Sequence, residues 1–167
     1  PEDAGSFTQQ ISGMGTAYVF GGGHVAQALV PLLARAEFPV VVLDDRPEFA
    51  SAALFPDAAV RLVDFERLEG LRINANDGIV IMTRGHSYDQ AVLGQMLKTP
   101  ARYIGMMGSL GKRAHIYANL KKQGHAQEDI DRVHSPIGLA IQAETPFEIA
   151  VSITAELIQH RAANAGA

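Results

Sequence analysis

A glycine turn set between two short apolar runs constrains this chain more than any other feature. Ala17-Tyr18-Val19-Phe20 opens into Gly21-Gly22-Gly23-His24-Val25-Ala26, and Val40-Val41-Val42-Leu43 ends in Asp44-Asp45. Gly-x-Gly-x-x-Ala after a strand, with an acid closing the next strand, is the pattern of a phosphate-binding strand–turn–helix unit. Gly21 permits the tight turn, Gly23 lets the backbone approach a phosphate, and Ala26 lets helix and strand pack closely. Gly21, Gly22, Gly23 and His24 thus form a candidate phosphate-facing turn, because the free N–H groups at the start of the following helix favour an anion. The separation of Gly21 and Asp44 is close to the roughly 20 residues that precede a ribose-binding carboxylate. Asp44 is a candidate acceptor for ribose hydroxyls, with a turn that pairs it to Arg46 as the plainer alternative. Arg46 itself stands where a 2′-phosphate would be met, but the acid at Asp44 opposes that.

The rest of the chain repeats the alternation of apolar run and helical pattern. Strands are expected at about 16–20, 40–44, 60–62, 78–83 and 102–106. Helices are expected from His24 to Ala36, from Ser87 or Asp89 to Lys98, from Leu110 to Lys122, near 128–133, and from Thr145 to about His160. Pro31 is expected to kink or shorten the first helix, since it removes a hydrogen bond. Thr145-Pro146-Phe147-Glu148 reads as a capping box with proline at the first helical position. Runs apolar on both faces, such as Val40–Leu43 and Ile79–Met82, suit strands covered by helices on each side. The fold class that follows is α/β, a doubly wound and mostly parallel sheet flanked by helices. Residues 1–15 are expected to be a linker or the tail of an upstream domain, because the chain starts at Pro1 without a signal-peptide pattern. Residues 16–167 are expected to form the domain.

Composition enters mainly by exclusion. The formal net charge of −4 argues against a broad nucleic-acid or anionic-membrane surface. No run approaches the roughly 18 apolar residues of a membrane span. The absence of cysteine rules out disulfides, thiolate metal sites and thiol catalysis within this chain, and a cytoplasmic location is expected.

Ligands of such sheets sit outside the carboxyl ends of the strands, where the strand order reverses. Two further loops should meet the glycine turn there. One is Thr83-Arg84-Gly85-His86-Ser87-Tyr88-Asp89, with Thr83, Arg84, His86 and Asp89 as candidate ligand contacts. The other is Gly105-Met106-Met107-Gly108-Ser109-Leu110-Gly111-Lys112-Arg113, with Gly108, Ser109 and Lys112 as a second anion cradle. The plainer alternatives are helix capping for Asp89, a solvated helix face for Lys112 and Arg113, and core packing for Met106 and Met107. Glu144 is expected to stabilise a helix start through its charge. His115, His125, His134 and His160 are scattered and receive no role. No metal set and no nucleophile–base–orienter set is readable, since Ser87, Ser109 and Ser135 lie in no strained elbow. Binding is better supported than catalysis.

These segments resemble the XdhC/CoxF family across residues 16–160. The resemblance rests on the glycine turn, on Val42-Leu43-Asp44-Asp45-Arg46-Pro47-Glu48-Phe49, on the Thr83–Asp89 loop, on Tyr103-Ile104-Gly105-Met106-Met107-Gly108-Ser109, and on Ser135-Pro136-Ile137-Gly138-Leu139 through Ile153. It implies a Rossmann-like domain of an accessory factor for molybdenum hydroxylases such as xanthine dehydrogenase. Such factors hold molybdenum cofactor (molybdopterin), support its sulfuration, and pass it to the apo-enzyme, which makes the hydroxylase and a sulfurtransferase the implied partners. By the same resemblance Gly21–His24, Asp44, Arg46, Thr83, His86, Asp89, Gly108, Ser109 and Lys112 match the ligand-facing segments. Pro136, Gly138 and Glu144 match a last motif to which no role attaches. The chain departs from the family pattern at Leu110-Gly111 and at Ala140, and the N-terminal domain that carries a cysteine-containing segment in many members is expected to be missing from this piece. A homodimer is expected from faces that such a domain would otherwise cover. The alternative readings are an NAD(P)-dependent oxidoreductase and a dinucleotide-sensing regulatory domain.

Overall fold

A computed structural model describes residues 15–164, so most of the expected 1–15 linker lies outside the described residues. Six strands form one parallel sheet in the order β3-β2-β1-β4-β5-β6. They are β1 (Ala17–Phe20), β2 (Val40–Asp44), β3 (Ala59–Leu62), β4 (Gly78–Ile81), β5 (Tyr103–Met106) and β6 (Val133–His134). The helices are α1 (His24–Arg35), α2 (His86–Met96), α3 (Leu110–Lys122), α4 (Gln127–Asp131) and α5 (Pro146–Asn164). This is a doubly wound Rossmann-like fold. Strand order reverses between β1 and β4, so a crevice opens where their carboxyl ends diverge into α1 and α2.

Side-chain alternation builds two cores. Ala17, Val19, Val40, Val42, Val80 and Met82 pack with Leu29, Leu33, Ile153 and Leu157 on the α1/α5 face. Phe20, Leu43, Ile79, Ile81, Ile104 and Met106 pack with Leu93, Met96, Ile116 and Leu120 on the α2/α3 face. The period of two sends successive residues of each strand to opposite layers, and both layers are covered, which explains the uninterrupted apolar runs.

Local chemistry sets several boundaries. The capping box forms: Glu148 N–H donates to Thr145 Oγ1 (3.2 Å) and Thr145 N–H donates back to Glu148 (3.0 Å). Ser109 caps α3 by accepting from Lys112 N–H (3.3 Å). Two expectations are corrected. Pro31 does not shorten α1, which continues to Arg35; the proline sits on the exposed side, where solvent can reach the carbonyl it leaves unpaired. The helix expected over 128–133 is α4, followed at once by β6, a strand of two residues.

β6 is held by a polar cluster. Glu156 of α5 pairs with His134 Nδ1 (3.0 Å), accepts from Tyr103 Oη (3.1 Å), and accepts from the Gly138 N–H. The Tyr103 and His134 rings stack at 4.7 Å, and His160 meets Tyr103 edge-on at 5.3 Å. Burial pushes the Glu156 carboxyl up, but the hydrogen bonds from His134, Gly138 and Tyr103 outweigh it and hold the group below its ordinary 4.5. Burial, then the charges of His134 and Arg102, hold His160 below its ordinary 6.5.

Both shifts act in the same direction. Protonation of either group is harder in the folded state, so stability is full above the ordinary value and drains as pH falls through the folded one. The urea midpoint is therefore expected to be flat above about pH 7 and to fall in two stages, below about 6.5 and again below about 4.5. His160→Gln should remove the first stage, and a midpoint unchanged from pH 7 to pH 5 would contradict this assignment.

Candidate functional site

At the crevice, a cleft of about 440 Å³ is lined by Gly23, His24, Val25, Ala26, Arg46, Phe49, Met82, Thr83, Arg84, Met107 and Pro146. Its floor is the start of α1. Gly23 is the N-cap, no side chain caps that end, and the first turn holds no acid. The first N–H groups of a helix have no partner within it, and here they open on the cleft with the positive end of the helix dipole.

The three glycines have separable reasons. Gly21 has φ +108°, and a Cβ there would lie 2.3 Å from the Met82 carbonyl oxygen. At Gly22 a Cβ would lie 2.7 Å from the Phe49 carbonyl oxygen. At Gly23 the backbone is extended, φ −72° and ψ −169°, and a Cβ would meet no protein atom within 4 Å. The protein's own packing requires the first two, whereas the third is free of any such demand. Gly21→Ala is expected to destabilise the fold by about 3 kcal/mol, read as a lower urea midpoint, from backbone strain and steric conflict together.

Asp44 takes a different place from the one expected. It is fully buried, and its oxygens accept from Gly22 N–H (2.7 Å), Arg46 N–H (3.0 Å), Arg46 Nε (2.9 Å) and Arg46 Nη2 (3.1 Å). Of the two readings the structure contains the turn paired with Arg46, and Asp44 is not among the residues that line the cleft. Burial pushes the carboxyl up, but the Arg46 side chain and the N–H groups of Gly22 and Arg46 outweigh it and hold it below 3.8. The side-chain hydrogen bonds to Asp44, helped by the charges of Asp44, Asp45 and Glu48, outweigh burial and raise Arg46 above its ordinary value. The guanidinium also lies 3.7 Å over the Phe49 ring. Across the cleft Arg84 pairs with Asp45 (2.7 Å) and reaches Tyr88 Oη (3.2 Å).

Asp89 and Lys112 pair with each other. Asp89 is fully buried and accepts from Thr83 N–H (2.9 Å) and Thr83 Oγ1 (2.6 Å), and it is paired directly with Lys112 Nζ. Lys112 also donates to the Met107 carbonyl (3.0 Å). Neither lines the cleft; Asp89 does not cap α2, whose N-cap is Gly85, and Lys112 is not a solvated cation. Their pairing ties the loop after β4 to the loop after β5, because α3 begins at Leu110 and its first turn carries Lys112 back over Gly108 (φ +150°). Arg113 reaches the Ser135 carbonyl (2.5 Å).

Of the candidate contacts, Gly23, His24, Arg46, Thr83 and Arg84 come together around the cleft. Gly21 and Gly22 shape the turn behind it, Ser109 caps α3, Gly108 lies under Lys112, and His86 starts α2 with its side chain exposed. The apolar wall of Val25, Phe49, Met82, Met107 and Pro146 is not evident from the sequence. Its one signal is position, since Met82 and Met107 directly follow β4 and β5. Glu144 contributes its N–H to Glu148 (2.8 Å). Among the described residues no group of three or more His, Cys, Asp or Glu side chains is arranged to hold a metal, and no helix is long and apolar enough to cross a membrane.

With this geometry in place, the XdhC Rossmann domain family model matches residues 17–157, from the first residue of β1 to the buried Leu157 of α5. The chain belongs to the XdhC family. It is 32% identical over 157 residues to a Bacillus subtilis protein named as a probable xanthine dehydrogenase subunit, covering 93% of this chain and 46% of that protein. It is also 32% identical over 145 residues to YqeB of Escherichia coli, covering 84% of this chain and 26% of that protein. A crystal structure from Bacillus halodurans described as a xanthine dehydrogenase superposes with a TM-score of 0.80 at 34% identity, over 91% of this chain and 46% of that one. This XdhC domain thus spans less than half the length of each of these relatives.

Proposed function

We propose that this XdhC domain is the ligand-holding part of a maturation factor for a molybdenum hydroxylase of the xanthine dehydrogenase type. The observation that carries the reading is the uncapped start of α1, open to the cleft at Gly23 and flanked by Arg46 and Arg84. Molybdenum cofactor, a pterin with a phosphate tail, fits this donor set. The N–H groups at the start of α1 would hold the phosphate, the two guanidiniums would add positive charge, and Val25, Phe49, Met82 and Met107 offer apolar surface for a flat ring. The group supplies the molybdenum chemistry, and this chain's residues bind it, orient it and shield it.

The names of the relatives, a probable xanthine dehydrogenase subunit and a xanthine dehydrogenase, support the hydroxylase as client, and a sulfurtransferase as second partner follows from the family resemblance alone. Titration of the purified chain with molybdenum cofactor, against NAD, NADP and CMP, tests the reading. Micromolar or tighter binding of the cofactor with weak nucleotide binding is expected; tight NAD binding without cofactor binding would replace it with a redox or sensing role.

Self-association belongs to the same proposal. Phe147, Val151 and Ile158 lie on one side of α5, 59%, 37% and 39% exposed, and such a stripe favours a homodimer. Sedimentation at two concentrations should show a concentration-dependent dimer, and a monomer at both would remove it.

A further inference from the structure

β1 lies between β2 and β4 in the sheet, so the ends of β2 and β4 stand roughly 10 Å apart, two strand spacings. Asp45 directly follows β2, and Arg84 lies just beyond β4. Their ion pair (2.7 Å) therefore reaches over the exit of β1, where the glycine turn leads into α1. Each arginine of the cleft thus already faces an acid, but the two are held differently. Arg46 is pinned by the Asp44 fork and lies on the Phe49 ring, with 23% of its side chain exposed. Arg84 is 44% exposed, and its hydrogen bonds to Asp45 and to Tyr88 Oη both come from one nitrogen, Nη2. Among the described residues Arg84 is the hydrogen-bond donor to the Asp45 carboxylate, whose Oδ1 is buried without a partner, 3.8 Å from Arg46 Nε.

We propose that Asp45 is a built-in counter-anion of the cleft: it keeps Arg84 strapped across the start of α1, and an anionic ligand enters by taking Arg84 from it. The proposal rests on the reading that such a ligand occupies the cleft, and it adds how entry is controlled. A half-exposed ion pair contributes little to stability, so this strap opens at small cost. A phosphate offers the guanidinium acceptors of the same kind as the carboxylate, and the α1 N–H groups add donors that Asp45 does not use. The ligand thus favours the open strap by its differential affinity, which is what moves an equilibrium between two states. A neutral molecule has no such hold on Arg84 and leaves the strap closed. Arg46 keeps its place, since its departure would strand the buried Asp44 carboxylate without a cation.

Inorganic pyrophosphate, titrated by calorimetry at low ionic strength, is the probe, with molybdopterin titrated in parallel. The wild-type chain should bind pyrophosphate. Asp45→Asn should bind it at least fivefold more tightly, with a urea midpoint near that of the wild type, and Arg84→Gln should bind it more weakly. In the Arg84→Gln background the gain from Asp45→Asn should be at least threefold smaller, since no arginine is left to release. An equal gain in both backgrounds would mean that Asp45 merely repels anions, and the strap would be wrong. No gain from Asp45→Asn, or no pyrophosphate binding by any of these proteins, would also overturn it. If pyrophosphate shows the full pattern while molybdopterin is not bound, the maturation reading fails and the strap stands. If molybdopterin binds and neither ligand gains from Asp45→Asn, the maturation reading stands and the strap fails.

Discussion

Asp89→Ala is expected to lower the stability of the domain by about 3–5 kcal/mol, the usual consequence of removing one partner of a buried ion pair. The substitution leaves the Lys112 ammonium, only 13% exposed at its side chain, without its carboxylate. It also strips the Thr83 N–H of its acceptor and leaves the Thr83 hydroxyl only the Gly85 carbonyl (3.2 Å). Against a total of about 5–15 kcal/mol for a domain, this approaches unfolding. Adding Lys112→Met should restore most of the loss, because an apolar pair of similar volume often replaces a buried ion pair without penalty. Denaturant titration of the two single variants and the double variant measures it. If Asp89→Ala were as stable as the wild type, the loops after β4 and β5 would not be held by this pair. If its only effect were on ligand affinity, the sequence-based role of Asp89 as a ligand contact would be restored.

The second large effect is on binding. Gly23→Val should weaken ligand binding by at least a hundredfold while leaving the thermal midpoint within a few degrees of the wild type. Valine accepts the extended backbone at this position, and nothing in the protein lies within 4 Å of the new Cβ. The branched side chain instead enters the space where a phosphate would meet the start of α1. Gly22→Ala is the informative contrast, since its Cβ would press on the Phe49 carbonyl at 2.7 Å and should lower stability as well. Normal binding by Gly23→Val, measured by calorimetry on a variant of native stability, would remove the phosphate cradle.

Much of the architecture was legible because it depends on local pattern. Five strands, the glycine turn and the Thr145–Glu148 capping box follow from apolar runs, backbone freedom and reciprocal side-chain bonds, all of them short-range signals. β6 was not legible, since two residues carry no periodicity; its place is set by pairing with Ile104 and Gly105 and by the contact of His134 with Glu156. The site was legible by position and less so by role. The strand ends that converge at the crevice were foreseen, and Gly23, His24, Arg46, Thr83 and Arg84 meet there. Asp89 and Lys112 are separated in sequence and joined only by the sheet, so their mutual neutralisation could not be read from either loop. Asp44 and Arg46 are two residues apart, and the turn that pairs them was one of the two sequence readings; the full fork of Arg46 Nε and Nη2 on the carboxylate emerges only in the fold. Phe49, Met82, Met107 and Pro146 belong to ordinary apolar patterns and show themselves as cleft wall only once the chain is folded.

The measurement that bears most directly on the account compares molybdopterin with its dephosphorylated form, both titrated into the wild-type chain at low ionic strength. A phosphate held by helix N–H groups and arginine forms several charge-assisted hydrogen bonds, each worth about 1.5–3 kcal/mol. Removal of the phosphate should therefore weaken binding by at least a hundredfold. Equal affinity for the two forms would mean that the start of α1 holds no phosphate, and the central claim about this cleft would be wrong.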